Sequence, residues 1–276
     1  MEWQAHINLG SILDVNGVKT FHLSLGDNHP LLLIHGWGSS SYSWRRNYPD
    51  LSKTFKIVAL DLPGFGNSAP LPSGINLDSV SSHIFNLLDQ LDLRQTYLVG
   101  HSMGGVISAY LAGKRPERIS KLVLESPSFL GRRPFFTDLV KNKVIAKILI
   151  RFLISKSFVR RGLRSSYGNP DLITEETIEG YYQSVVKSGY TLLEASDILK
   201  EFDIGILERI TCPILFVLGE KDKWIPIEET MRIADRMNAQ IAVIPGAGHI
   251  PHEERPQEFN RIIVEFLQGS GKSIRV

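Results

Sequence analysis

The chain has a single cysteine, Cys212, in 276 residues. No internal disulfide can form, and a secreted, disulfide-stapled scaffold is excluded. Charge imbalance is also nearly absent. Thirty-one Lys and Arg stand against 29 Asp and Glu, a formal net charge of +2, which speaks against a globally basic nucleic-acid binder. Long apolar runs are missing too. The greasiest segment, Val144 to Ile154, is broken by Lys147 and Arg151 and is too short to span a bilayer. The first residues, Met1 to His6, carry no basic stretch followed by an apolar one. No signal peptide is expected, and the expected location is cytoplasmic. Internal repeats and low-complexity tracts are absent. What remains is an ordinary globular balance, 43% apolar and 22% charged, which excludes wholesale disorder. The length suits one large α/β domain, or a core with an inserted subdomain.

Short apolar runs recur along the chain. Near the start, Ile12 to Val15 and Val18 to Leu23 flank Asn16-Gly17, the dipeptide of a tight type I′ hairpin turn. The first 25 residues are therefore expected to form a β-hairpin. The runs that follow do not alternate: Leu31 to Ile34, Ile57 to Leu60, Tyr97 to Val99, Leu122 to Leu124, Ile214 to Leu218 and Ile241 to Ile244. Such runs predict strands buried on both faces, as in a parallel sheet covered by helices. Helical patterns lie between most of them, at Leu77 to Leu91, Val106 to Lys114, Glu228 to Met237 and Pro256 to Leu267. The predicted class is α/β, a mostly parallel, doubly wound sheet.

One interval breaks this rhythm. Residues 127–211 separate two predicted strands, far more than a crossover needs. This predicts a helical cap inserted between two parts of a core, 1–126 and 212–276. Leu139, Val140, Val144, Ile148 and Phe152 mark one expected helix in it, and Thr174 with Glu175 and Glu176 marks the start of another. Between Gly131 and Tyr167 the cap also carries ten basic residues and one acidic residue, Asp138. A basic amphipathic helix of this kind can rest on an anionic membrane surface, meet an acidic partner such as a carrier protein, or steer an anionic substrate. A solvated cap face explains the same charges.

Gly100-His101-Ser102-Met103-Gly104 fits G-x-S-x-G, with an apolar strand before it and a helix after. A serine on that sharp turn is lifted clear of the sheet, and the helix N-terminus behind it favours developing negative charge. A serine hydroxyl needs a base. The candidate is His249, in Gly246-Ala247-Gly248-His249 after the last strand, while His35 and His101 are expected to hold their loops by hydrogen bonds. The base needs a carboxylate, and Asp222 follows the strand ending at Leu218. Glu125, at the end of an earlier strand, and Glu220 are rival acids. Oxyanion donors are expected at the backbone N–H groups of Met103 and of Trp37, in His35-Gly36-Trp37-Gly38. A metal site at His249, His252, Glu253 and Glu254 matches no zinc-helix spacing and has no thiolate, and no cofactor is expected.

At these residues the chain resembles the α/β-hydrolase superfamily, in its capped, esterase-like branch. His35 to Gly38 is similar to that family's oxyanion loop, Asp61 to Ser68 to its D-x-P-G-x-G-x-S loop, and Gly100 to Gly105 to its nucleophile elbow. Gly219 to Asp222 is similar to the acid loop, and Gly248-His249 to the base loop. The resemblance implies nucleophile Ser102, acid Asp222 and base His249, with Trp37 and Met103 as oxyanion donors. Serine at 102 sets the chain apart from the dehalogenases and epoxide hydrolases of this fold, which use aspartate. The expected substrate is a small-molecule carboxylic ester with an apolar acyl part. Two alternatives share the motifs: a C–C bond hydrolase of ring-fission diketones, and a hydrolase-derived ligand sensor.

Overall fold

The computed structural model describes residues 1–129 and 154–269. The expected helix on 139–152 lies outside them, as do six of the ten basic residues between 131 and 167. Of the rest, Lys156 pairs with Glu179 and Arg160 with Glu175 on the surface.

Among the described residues, eight strands form one sheet. They are β1 (Ser11–Val15), β2 (Val18–Leu25), β3 (Pro30–Ile34), β4 (Lys56–Leu60), β5 (Thr96–His101), β6 (Ile119–Glu125), β7 (Ile214–Gly219) and β8 (Gln240–Ile244). The sheet order is β1-β2-β4-β3-β5-β6-β7-β8. β1 and β2 form the predicted hairpin, with positive φ at both Asn16 and Gly17. β2 pairs antiparallel with β4, and from β4 to β8 every pairing is parallel.

The unalternating runs have a simple cause. Successive side chains point to opposite faces, and both faces are covered. Leu32, Ile34, Val58, Leu98, Leu124 and Phe216 join one core. Leu31, Leu33, Ile57, Val99, Val123 and Val217 join the other. The first core is closed by α2 (Leu77–Gln90) and α3 (Met103–Lys114). α3 is buried almost all round and so is apolar on every side. The second core is closed by the last helix, Pro256–Leu267, and by the turn of 3-10 helix Ser41–Arg46.

One expectation fails at the N-terminus. Residues ahead of the hairpin form a short helix, α1 (Trp3–Leu9). Seven residues are too few to be helical alone. Tertiary contact holds them: His6 is fully buried, bonded to Ser41 Oγ at 3.1 Å and edge-on to Tyr42. Between β6 and β7 the described chain is helical, as expected. α4 (Lys156–Ser166) and α5 (Glu175–Ser188) are the longest of these described helices. α5 starts where predicted, with the Thr174 hydroxyl accepting from Thr177 N and Glu175 and Glu176 in the first turn. After β7 come α6 (Ile227–Arg236) and, after β8, α7 (Pro256–Leu267).

Candidate active site

Parallel pairing brings the carboxyl ends of β3, β5, β6 and β7 side by side. Ile34 pairs with Gly100, Gly100 with Leu124, and Glu125 with Val217. The loops that leave these ends therefore converge, at the edge where open α/β sheets bind ligands.

Ser102 sits at the turn from β5 into α3 with φ 53° and ψ −115°. No L-residue adopts this freely, and the strain costs about 1–3 kcal/mol. Packing enforces it. A Cβ on Gly104 would lie 2.5 Å from the carbonyl oxygens of Ile34 and His35, and one on Gly100 would lie 2.2 Å from Ser108 Oγ. Only glycines let the elbow press this closely on β3 and α3.

His249 Nε2 is 3.0 Å from Ser102 Oγ, and His249 Nδ1 is 2.9 Å from Asp222 Oδ2. The other carboxylate oxygen, Oδ1, accepts the backbone N–H groups of Trp224 at 2.8 Å and Ile225 at 3.1 Å. Burial alone would raise the Asp222 carboxyl. The hydrogen bond and charge of His249, with those two N–H groups, override it and hold Asp222 below the usual carboxylate range. The indole of Trp224 stacks on the His249 ring, centroids 5.6 Å apart, and donates to Ser165 O at 3.2 Å. The His249 N–H donates to Ser166 O at 2.6 Å, which ties the base loop to the end of α4.

The remaining histidines and acids have other work. His101 Nε2 donates to the His249 carbonyl at 2.8 Å, so the residue before the nucleophile grips the base's backbone. His35 Nε2 accepts from Leu62 N at 3.0 Å, with its Nδ1 on the Gly36 carbonyl at 2.8 Å. Both therefore hold loops, as expected. Glu125 is bonded to His252, not to His249. Its carboxylate takes His252 N at 2.8 Å and His252 Nδ1 at 2.7 Å, and burial pushes it up to about 7. Glu220 accepts the Gly246 N–H at 2.8 Å. The trio His252, Glu253 and Glu254 is divided among separate partners. Glu253 pairs with Arg45, and Glu254 takes the N–H groups of Gly168, Asn169 and Gly248. Among the described residues no group of three His, Cys, Asp or Glu side chains could hold a metal ion.

A cavity of about 460 Å³ opens over Ser102. Trp37 and Met103, the expected oxyanion donors, both line it. Met103 is the first residue of α3, where a backbone N–H has no acceptor within the helix. The indole N–H of Trp37 donates to Leu192 O at 2.7 Å. Phe158, Leu163, Tyr181, Val185, Leu199 and Ile250 give the cavity an apolar wall, and most of them come from the chain between β6 and β7. Ser128, Ser126-Pro127-Ser128 being the turn after β6, was not among the predicted site residues. Its hydroxyl lies 3.0 Å from Ser102 Oγ. The available signal was its place at the end of a strand adjacent to the elbow strand.

The fold and this geometry meet in a known family. The family model described as alpha/beta hydrolase fold matches residues 29–152. An uncharacterized hydrolase of Bacillus subtilis (strain 168), YugF, is 30% identical over 264 residues, covering 92% of this chain and 96% of its own. The 2-hydroxy-6-oxononadienedioate/2-hydroxy-6-oxononatrienedioate hydrolase of Comamonas testosteroni is 24% identical over 272 residues, covering 92% and 94%. Among solved structures, a mutant meta-cleavage product hydrolase from Pseudomonas fluorescens IP01, complexed with acetates, superposes with a TM-score of 0.79 at 25% identity, covering 95% and 99%. The chain belongs to the α/β-hydrolase family. It is a hydrolase of that fold, and among the described residues no helix is long and apolar enough to cross a membrane.

Burial of histidine has a consequence for stability. Burial lowers His6, His101 and His252 to about 3 and His35 and His83 to about 4, from an ordinary 6.5. Between about pH 6.5 and about pH 4 the unfolded chain binds protons at these five sites and the folded chain does not. Stability then falls as pH falls, by up to ~1.4 kcal/mol per pH unit for each group. Glu125, held at about 7 when folded, acts in the opposite sense, as do Asp61 and Glu254, whose carboxyls burial also raises, while burial lowers His22 and His29 as well and adds them to the five. The expected result is a urea midpoint that drops steadily between about pH 7 and about pH 5. A flat or rising profile over that window would show that these rings are not held neutral.

Proposed function

We propose that the chain is a serine hydrolase of carboxylic esters, working through an acyl-enzyme. The observation that carries this reading is the continuous line Ser102 Oγ, His249 Nε2, His249 Nδ1, Asp222 Oδ2, with bonds of 3.0 and 2.9 Å, opening into an apolar cavity. Ser102 attacks the ester carbonyl while His249 takes its proton. Asp222 fixes the Nδ1–H tautomer and stabilises the imidazolium. The oxyanion forms against the backbone N–H groups of Trp37 and Met103. His249 then protonates the leaving alcohol and activates the water that releases the acid. The residues between β6 and β7 act as a cap that supplies the acyl wall. The size and apolar lining of the cavity suit a small to medium acyl part.

A second reading draws on the relatives. One is named as a meta-cleavage product hydrolase and another as a hydrolase of 2-hydroxy-6-oxononadienedioate and 2-hydroxy-6-oxononatrienedioate, and a C–C bond hydrolase would use the same three side chains. The discriminating experiment is a set of initial rates on p-nitrophenyl esters from acetyl to dodecanoyl, beside a ring-fission dienoate, with Ser102→Ala as control. Ester turnover that peaks at short or middle chain lengths and vanishes in Ser102→Ala is expected. Faster turnover of the dienoate than of any ester would transfer the assignment to C–C hydrolysis. Activity that survives in Ser102→Ala would overturn both readings.

A further inference from the structure

Among the described residues Ser102 Oγ has two side-chain neighbours at hydrogen-bond distance, and the triad accounts for one. The other is Ser128 Oγ, at 3.0 Å. The donor in this second bond follows from the triad. Asp222 accepts the proton on His249 Nδ1, so in the resting enzyme His249 Nε2 is bare and can only accept. The one proton of Ser102 Oγ goes to it. Ser102 Oγ is left with lone pairs alone, and Ser128 must be the donor. The Ser128 position is built. Ser126, at φ 41°, turns the chain sharply after β6 and anchors its N–H on Val217 O at 3.0 Å. Pro127 packs on the elbow so closely that a Cβ on Gly105 would lie 3.0 Å from Pro127 Cβ. The Ser128 N–H donates to Ser102 O at 3.3 Å. The turn is thus docked on the nucleophile by backbone and side chain together, and Ser128 stays 9% exposed, on the cavity wall.

We infer that Ser128 is a further catalytic residue, a donor dedicated to the oxygen of the nucleophile rather than to the oxyanion. The inference rests on the serine-hydrolase reading. In acylation, Ser102 gives its proton to His249, an Oγ lone pair forms the bond to the acyl carbon, and the carbonyl π pair moves to the oxyanion; when that pair returns, the bond to the alcohol oxygen breaks and the alcohol leaves with the proton from His249. In deacylation, water gives a proton to His249 and its oxygen bonds to the acyl carbon; the adduct collapses, the C–Oγ bond breaks, its electrons return to Oγ, and His249 returns the proton. In both transition states Oγ carries partial negative charge. The Ser128 hydroxyl is already aimed at it, and a hydrogen bond strengthens as its acceptor gains charge.

The test uses the full chain and the variants Ser128→Ala, Ser128→Cys and Ser128→Thr, each checked for an unchanged melting temperature. The readouts are the rate of covalent labelling by an alkyl fluorophosphonate and the separate acylation and deacylation rates on p-nitrophenyl acetate. Ser128→Ala is expected to slow all three by about tenfold with little change in KM, the signature of a bond that matters in the transition state. Ser128→Cys keeps the bulk, weakens the donor and is expected to follow Ala. Ser128→Thr keeps the hydroxyl and is expected within about threefold of the parent. Parent-like rates in Ala or Cys, or a Thr variant as slow as Ala, would overturn the inference. If the parent chain itself is neither labelled nor active, the serine-hydrolase reading fails, whatever the variants do.

Discussion

Exchange of Asp222 for Asn is expected to lower kcat on a p-nitrophenyl ester by about 10⁴-fold, approaching the loss in Ser102→Ala. The amide has one oxygen and one NH2 group, so it cannot accept at both positions as the carboxylate does. Asp222 Oδ1 is held by the N–H groups of Trp224 and Ile225, so it must stay the acceptor. The NH2 group then faces His249 Nδ1 and forces the proton onto Nε2. Ser102 would face a donor instead of a base. Glu125→Gln is the paired control. Glu125 lies one strand away, at the end of β6, and is committed to His252. Burial pushes its carboxyl up to about 7, so the neutral amide is a near replacement, and kcat is expected to change by less than about tenfold. The two variants separate the rival acids in one experiment. A large loss in Glu125→Gln with a small one in Asp222→Asn would reverse the assignment of the acid.

Which parts of this arrangement were legible in the sequence follows from how local each signal is. The parallel strands announced themselves because burial on both faces leaves no polar position in the run, as in Leu31-Leu32-Leu33-Ile34. The elbow was legible because Gly100 and Gly104 answer to contacts within a few residues of Ser102 or on the adjoining strand. Asp222 and His249 were legible because each follows the end of a strand. The rivalry of Glu125 could not be resolved from sequence. Glu125 and His249 also stand at strand ends, and only the path of the loop from Pro245 to Glu253 decides which histidine reaches which acid. Helix α1 was missed because its seven residues carry no helical signal of their own, and the burial of His6 against Ser41 and Tyr42 is what holds it. Ser128 was missed because a serine after a strand is common, and its meaning depends on a 3.0 Å approach to Ser102.

The network behind the base loop was the least legible of all, and it carries the largest expected effect on stability. Arg45 and Glu253 stand 208 positions apart, yet both are almost wholly buried and joined in an ion pair. Glu253 also accepts the Tyr167 hydroxyl, from just past the end of α4, while Arg45 Nη2 donates to Thr177 Oγ1 on α5 at 2.9 Å. Arg46 adds a bond to the Glu253 carbonyl at 2.9 Å. Burial alone would raise the Glu253 carboxyl, but the Arg45 guanidinium overrides this and holds it below the usual range. Its contribution to stability is therefore present above the unfolded carboxyl pKa and is lost as pH falls through the lower folded value. Arg45→Met strands a buried carboxylate with, among the described residues, only the Tyr167 hydroxyl left as a side-chain donor, and is expected to cost about 3–5 kcal/mol. For a chain of this length that is a fall in melting temperature of roughly 10 °C. The double variant Arg45→Met with Glu253→Leu removes both charges and is expected to recover much of the loss, because an apolar pair carries no desolvation cost. Glu253 lies four residues beyond His249, and Glu254 beside it holds the Gly248 N–H at 2.6 Å. The single variant should therefore lose kcat as well, through displacement of the base. A single variant as stable as the parent would mean that the pair is solvated, and a double variant no better than the single would place the cost in packing rather than in the unpaired charge.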